Sequence, residues 1–336
     1  MTLETLASLA SLAAMPLLAV VSPGVPPSPV VSTYSIVARD PRTGELGVAV
    51  QSHYFSVGPI VPWVEAGVGA VATQSLVLVD YGPDGLELMR KGMTARQALD
   101  SLLAADKHNE GRQVAMVDAK GNVAAYTGRS AIPDAGDAQG VQFSVQANLM
   151  ASARVWPAMK EAYEKSDGDL AERMMAALEA AEKVGGDIRG RQSAAMVIVK
   201  GQPSGKTWND YVINLRVEDH PEPLQELRRL IRLRRAYNLV DQGDTYTAEK
   251  KLVEAAKAYD EGAKLAPDVV ELQFWAALTM YTNDRKAEGL ALFKKVFAQE
   301  ARWVPLIERL AKVGLFPNDP RAIAEVQAQA TKGAKW

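Results

Sequence analysis

Hydrophobic and polar positions divide the chain into two regimes. From Thr33 to about Val217, short apolar runs bounded by Gly, Pro, Asp and Asn alternate with amphipathic helical stretches. Tyr34 to Ala38 and Gly47 to Ser52 read as paired strands joined by the turn Asp40-Pro-Arg-Thr-Gly44. Ile60 to Trp63 and Val68 to Gln74 read as two further strands, and Gln113 to Asp118 with Val123 to Tyr126 as a hairpin across Ala119-Lys-Gly-Asn122. Helical periodicity marks Asp84 to Lys91, Thr94 to Ala105, Ser152 to Tyr163 and Leu170 to Val184. Thr94 stands three residues before Gln97, the spacing of a capping box. Ser193 to Lys200 and Tyr211 to Val217 are again strand-like. Strands, then helices, then strands predict an α+β layered sandwich rather than a βαβ relay.

After Asp219-His-Pro-Glu-Pro223 only helical periods remain, beginning with an Arg/Leu helix from Leu224 to about Leu239. Gly243, Tyr246, Ala255, Tyr259 and Pro267 fall at the small, aromatic and Pro positions of a tetratricopeptide unit. Ala255 recurs as Gly289 and Tyr259 as Phe293, each 34 residues on, which is the period of that repeat. Trp303 to Val313 starts a third, incomplete unit. Trp275, Phe274, Tyr281 and Phe293 read as repeat core. The predicted organisation is a removable segment 1–32, an α+β domain 33–218, a connecting helix 219–240, repeats 241–314 and a tail 315–336. Two units are fewer than a free-standing solenoid needs, so they are expected to pack on the first domain or on another subunit.

Leu6 to Val21 is apolar, and the breaker-rich Ser22-Pro-Gly-Val-Pro-Pro-Ser-Pro29 follows it. This resembles a signal segment ending at Val30-Val31-Ser32, although Glu4 and the lack of an early Lys or Arg are atypical. The reading leaves two alternatives: export to the periplasm or outside, or a cytoplasmic protein with an N-terminal extension. No other stretch approaches the length of a membrane span.

Composition narrows the chemistry. Lys and Arg number 38 against 40 Asp and Glu, so no polyanion partner is advertised and nucleic acid is disfavoured. With 0 Cys, a thiol nucleophile and thiolate metal sites are excluded. Only His53, His108 and His220 are available as imidazoles, in three distant regions, so neither a metal nor a cofactor is expected. His53 follows Ser52 and points to the opposite strand face, which disfavours a Ser–His pair. His220 reads as a local capping or packing group and His108 as solvated.

Thr33 carries the sharpest possibility. A threonine hydroxyl is a poor nucleophile unless a base takes its proton, and a free α-amine is such a base. Thr33 acquires one only if residue 32 is removed; otherwise it is an ordinary strand threonine. Ser35, two residues on along the same face, is the fallback nucleophile. The small-residue run Gly67-Val-Gly-Ala-Val-Ala-Thr73-Gln74 could offer backbone N–H groups to an oxyanion, or simply serve tight sheet packing. Gly185-Gly-Asp187-Ile-Arg189-Gly-Arg191-Gln-Ser193 gathers an acid, two guanidiniums and a hydroxyl in one loop, either as a site or as a structural ion-pair network.

Thr33-Tyr-Ser-Ile-Val-Ala-Arg-Asp40, Gly44-Glu-Leu-Gly-Val-Ala-Val, Val61-Pro-Trp, Ala66-Gly-Val-Gly-Ala-Val-Ala-Thr-Gln74, Gln146-Ala-Asn148 and Gly185 to Ser193 together resemble the bacterial domain of unknown function 1028 family, over Thr33 to about Pro223. The resemblance implies membership of the N-terminal nucleophile hydrolase superfamily and a four-layer αββα fold; some members carry C-terminal helical repeats. Thr33 is similar to the nucleophilic threonine of the superfamily's proteasome-like branch. Ser52 falls where that branch has an aspartate, and Asp187 and Ser193 resemble the late Asp and Ser that orient the nucleophile. The tuning lysine has no counterpart, since the first lysine is Lys91; Arg39 or Arg191 could substitute electrostatically. Family members often have His and Cys near Tyr126 to Asp137, and this chain has neither there.

Two functions are therefore expected as alternatives. One is a hydrolase of an amide or related acyl bond in a small-molecule or peptide substrate. In it Thr33 is the nucleophile, Ser52, Asp187 and Ser193 support it, and Asn148, Gln74, Arg189 and Arg191 bind substrate or oxyanion. The other is an inactive scaffold whose repeats bind a protein or self-associate.

Overall fold

The computed structural model describes residues 29–283 and 285–330; the apolar segment Leu6 to Val21 lies outside them. The chain is mixed α+β, with two antiparallel sheets followed by a helical C-terminal region, and ten α-helices among the described residues.

The six-stranded sheet runs β11-β10-β3-β2-β9-β8, from Tyr211–Val217, Ser193–Val199, Leu46–Ser52, Thr33–Arg39, Phe143–Ala147 and Gly136–Gly140. The five-stranded sheet runs β1-β5-β6-β7, from Val30–Val31, Gly69–Leu76, Arg112–Asp118 and Val123–Thr127, with β4 (Pro62–Glu65) also pairing β5. Side-chain alternation along β2 sorts residues between two cores. Tyr34, Ile36 and Ala38 join a cluster with Met159 and Tyr163 of α3 (Val155–Lys165), Met174 and Leu178 of α4 (Leu170–Lys183), and Leu227 and Ile231 of α5 (Pro223–Ala248). Val37 turns the other way and meets Val48, Val50, Ala70, Ala72, Ala115 and Val117 between the two sheets. The outer face of the five-stranded sheet is covered by α1 (Tyr81–Arg90) and α2 (Ala95–Ala105) through Leu86, Met89 and Leu99.

Local signals held where their chemistry is local. Thr94 caps α2 in a capping box with Gln97. Helix α1 starts at Tyr81, ahead of the expected Asp84, and β4 lies two residues beyond the run Ile60 to Trp63. The β8–β9 hairpin is not predicted by the pattern. β8 reads Gly-Asp-Ala-Gln-Gly, with no apolar alternation, and is made a strand by its ladder to β9.

The helical region continues with α6 (Leu252–Leu265), α7 (Val270–Thr282), α8 (Lys286–Gln299), α9 (Leu306–Lys312) and α10 (Pro320–Gln327). Helix α5 is unbroken through Asp241, longer than the expected Leu224 to Leu239. It is clamped to α4 by Arg228, which pairs with Glu172 and Glu179, and by Arg235, which pairs with Asp169 and Glu172. Phe274, Tyr281 and Phe293 are buried in one apolar cluster of this helical region, with Trp275 partly buried against it. Among the described residues no helix is long and apolar enough to cross a membrane.

Candidate active site

The strand register assembles the site. Thr33 opposes Ser52 across β2–β3, and Ser52 opposes Ser193 across β3–β10. On the other flank Asn148, one residue beyond β9, donates its backbone N–H to Thr33 O at 3.1 Å. One end of the sheet thus carries a polar row, Ser193, Ser52, Thr33 and Asn148, from four strands, and all four residues are fully buried. Side chains of directly opposed residues share a face, so the row points into the space between the sheets.

Thr33 is not a free terminus here. The chain runs back through Ser32 into β1, which adds to β5 with Val30 opposite Leu76 and Val31 opposite Ser75. Thr33 Oγ lies 3.0 Å from Val31 O and 3.1 Å from Ser52 Oγ, both as acceptors for its single proton. Ser52 Oγ in turn donates to Ser32 O at 2.6 Å. Arg189 Nη2 donates to the same carbonyl oxygen at 2.8 Å. The carbonyl immediately upstream of Thr33 therefore has two donors, one of them cationic, which polarises its carbon toward attack.

Asp187 holds the guanidinium in place. Its side chain is fully buried and accepts from Arg189 N, Nε and Nη2 at 2.8 to 3.0 Å, and from His53 N at 3.2 Å. These donors compensate the carboxylate. The loop gets there because Gly185, Gly186 and Gly190 adopt positive φ, a region costly for other residues.

Behind Thr33 lies a network that joins the sheets. Gln74 Nε2 donates to Thr33 O at 3.2 Å and to Gln113 Oε1 at 2.7 Å. Asn148 Nδ2 donates to Gln113 Oε1 at 2.9 Å, and Gln113 Nε2 donates to Ala147 O at 2.8 Å. Ser35 Oγ donates to Gln74 Oε1 at 2.7 Å and accepts from Gln146 Nε2 at 2.6 Å. These amides are fully buried, and apart from Asn148 Oδ1 their side-chain polar atoms are paired internally.

Several expected roles are redistributed. Ser193 sits on the row, but its hydroxyl donates to Tyr54 O at 2.5 Å and accepts from Val57 N, so it anchors the loop after β3. Asp187 reaches Thr33 through Arg189 and Ser32. Arg191 pairs with Glu182 and Glu222 outside the site, and the Glu182 carboxylate beside it raises its already high pKa. Arg39 bonds Gln142 at the far end of β2. The cation near Thr33 is Arg189. Ser35 Oγ bonds two glutamine amides, neither of them a base for its proton. Strand β5 is paired on both flanks, so its N–H groups are spent in ladders rather than open to an oxyanion. Asn148 turns its N–H groups to Gln113 and Thr33, leaving Oδ1 buried and unpaired. Gln113 was not singled out by sequence; its signal is a lone amide next to the apolar run Val114 to Val117 of β6. His220 Nδ1 accepts from Glu222 N at 3.0 Å just ahead of α5, and His108 is exposed.

Residues 33–227, more than half of the chain, match the model of DUF1028, a family of unknown function. The chain belongs to the DUF1028 family. Its match begins at Thr33 and takes in the row, the glutamine network and the Asp187 loop. The crystal structure of protein SPO2555 from Silicibacter pomeroyi, described with the same family, is similar with a TM-score of 0.54 and 30% identity, covering 59% of this chain and 87% of that one. No curated protein matches the chain.

Proposed function

We propose that this DUF1028 protein is an N-terminal nucleophile hydrolase of amide or related acyl bonds, whose 32–33 bond is intact before maturation. The observation that carries the reading is the Ser32 carbonyl oxygen, held by Ser52 Oγ and Arg189 Nη2 beside the Thr33 hydroxyl.

In the first, internal event Thr33 Oγ attacks the Ser32 carbonyl carbon. Its proton passes to Ser52 Oγ while the Ser52 proton moves onto the Ser32 oxygen, and Arg189 stabilises the charge that develops there. The tetrahedral centre collapses, the C–N bond breaks and the proton returns to nitrogen. Ser32 is then esterified to Thr33 Oγ, and one water hydrolyses the ester to leave a free Thr33 amine. That amine, with an ordinary pKa of about 7.7–8.0, is the base for later turnover. An amide substrate is attacked by Oγ, the amine passes the proton to the departing nitrogen, and water completes hydrolysis.

Helices on the outer face of each sheet, with the sheets face to face, support a four-layer αββα arrangement. Antiparallel packing of α5 to α8, with Gly262 and Gly289 at close crossings, supports a tetratricopeptide-like reading of the repeats. The scaffold alternative draws on a cavity of about 660 Å³ in that region, lined by Tyr237, Asp244, Tyr259 and Trp275. The signal-like N-terminus supports a periplasmic or secreted location.

Intact-mass measurement and N-terminal sequencing of the purified full-length chain decide between the two. A mature protein beginning at Thr33, absent in Thr33→Ala, supports the hydrolase. A retained bond in protein that turns over amides refutes this chemistry.

A further inference from the structure

Residues Pro29–Ser32 sit in the protein as a bound chain would. Val30 and Val31 form a two-residue strand on the edge of β5, and Pro29 O accepts from Val77 N at 3.1 Å. Strand β4 covers β5 only from Gly69 to Ala72, and Val61 O takes Thr73 N. Removing the upstream residues would therefore bare the β5 edge at Ser75 to Val77, a row of backbone groups ready to pair with another extended chain.

Burial grades along the segment. Ser32 and Val31 are fully buried, Val30 is 41% exposed, and Pro29 is exposed. The Val31 side chain enters the apolar cluster between the sheets with Val50 and Val57. Ser32 Oγ and Ser75 Oγ are buried without partners, so the segment leaves polar capacity in its own seat unused.

The chemistry makes this seat more than a plug. Attack of Thr33 Oγ on Ser32 yields an ester whose acyl chain is the segment ending Pro29-Val-Val-Ser32. A substrate amide passes through an ester on the same oxygen, so its acyl side must leave Thr33 along a track of the same direction and width. We infer that the channel filled by Pro29–Ser32 is the acyl subsite of the cleaved protein. Its ligand is an extended peptide with a small residue at the reacting carbonyl and a β-branched apolar residue before it, pairing with the β5 edge. This rests on the hydrolase reading and adds the substrate class. A lone amino-acid amide would leave the edge and the Val31 cavity empty.

The test uses the chain cleaved at residue 32 and four coumarin amides: acetyl-Pro-Val-Val-Ser, acetyl-Pro-Val-Asp-Ser, acetyl-Pro-Lys-Val-Ser and acetyl-Ser. Asp in the buried position should lower kcat/KM by roughly 100-fold, because a charge is placed in an apolar cavity. Lys in the half-exposed position should change it by less than about threefold, consistent with a surface site. The single-residue amide should be at least about 100-fold poorer, for want of the remote contacts that support the transition state. Free acetyl-Pro-Val-Val-Ser should inhibit competitively. Equal rates for Val and Asp, or for the tetrapeptide and single-residue amides, in a cleaved and active chain would overturn the subsite alone. A 32–33 bond that never breaks would overturn the hydrolase reading and the subsite with it.

Discussion

Ser52 Oγ lies 2.6 Å from Ser32 O and 3.1 Å from Thr33 Oγ, so one serine links the hydroxyl that would attack to the carbonyl that would receive it. The link exists because Thr33 and Ser52 are opposed in the β2–β3 register.

Ser52→Ala should slow cleavage of the 32–33 bond by about 10²–10³-fold, the usual cost of one oxyanion donor. A time course of intact mass from freshly made protein checks it. An unchanged rate would remove Ser52 from the mechanism.

Arg189→Met deletes the charged donor to Ser32 O and strands Asp187, whose side chain is fully buried. Cleavage should slow at least as much as in Ser52→Ala. Stability should fall by about 2–3 kcal/mol, below the range for wholly buried pairs because Arg189 keeps 29% exposure. Arg189→Lys should recover part of the rate but not the forked contact to Asp187. Urea denaturation beside the mass assay separates the two losses.

Gln113→Leu removes the acceptor shared by Gln74 and Asn148. Each amide left unpaired in a dry interior costs about 1–3 kcal/mol. The denaturation midpoint should drop accordingly, and cleavage should slow because Gln74 also holds Thr33 O.

Burial pushes the Glu172 carboxyl up, but the Arg235 and Arg228 guanidiniums outweigh it and hold its pKa below the ordinary value. A depressed folded-state pKa adds stability that is complete above the unfolded value, about 4.3, and is lost as pH falls through the lower folded one. The α4–α5 clamp should therefore weaken below about pH 4. Thermal melts of wild type and Glu172→Gln should differ at pH 7 and converge toward pH 3. A gap that stays constant would show that the carboxylate charge is not what matters.

At Gly289 an added Cβ would lie 2.7 Å from Tyr281 N and 2.8 Å from Ala277 O, both backbone atoms of α7 that cannot swing aside. Gly289→Ala should cost about 1–3 kcal/mol by forcing α7 and α8 apart. Circular dichroism melts would register it in the helical region, with cleavage at Thr33 unaffected.

Sequence alone determined the features whose causes lie within a few residues of each other. These include the β2–β3 hairpin around the turn Asp40 to Gly44, the Thr94 cap and the switch to helices after Asp219. The burial of Ala255, Tyr259, Gly289 and Phe293 was legible too, because their spacing of 34 residues is written in one dimension. Tertiary structure decided the rest. It turned Ser193 Oγ to Tyr54 rather than Thr33, made Arg189 instead of Arg39 or Arg191 the nearby cation, and bound Gln74 to Gln113 across two sheets. It also gave strand character to Gly136–Gly140 through pairing alone. The physical reason is register: a row built from residues 33, 52, 148 and 193 depends on which strands lie side by side and on where each hydroxyl finds its acceptor. Neither is encoded in the spacing of residues along the chain.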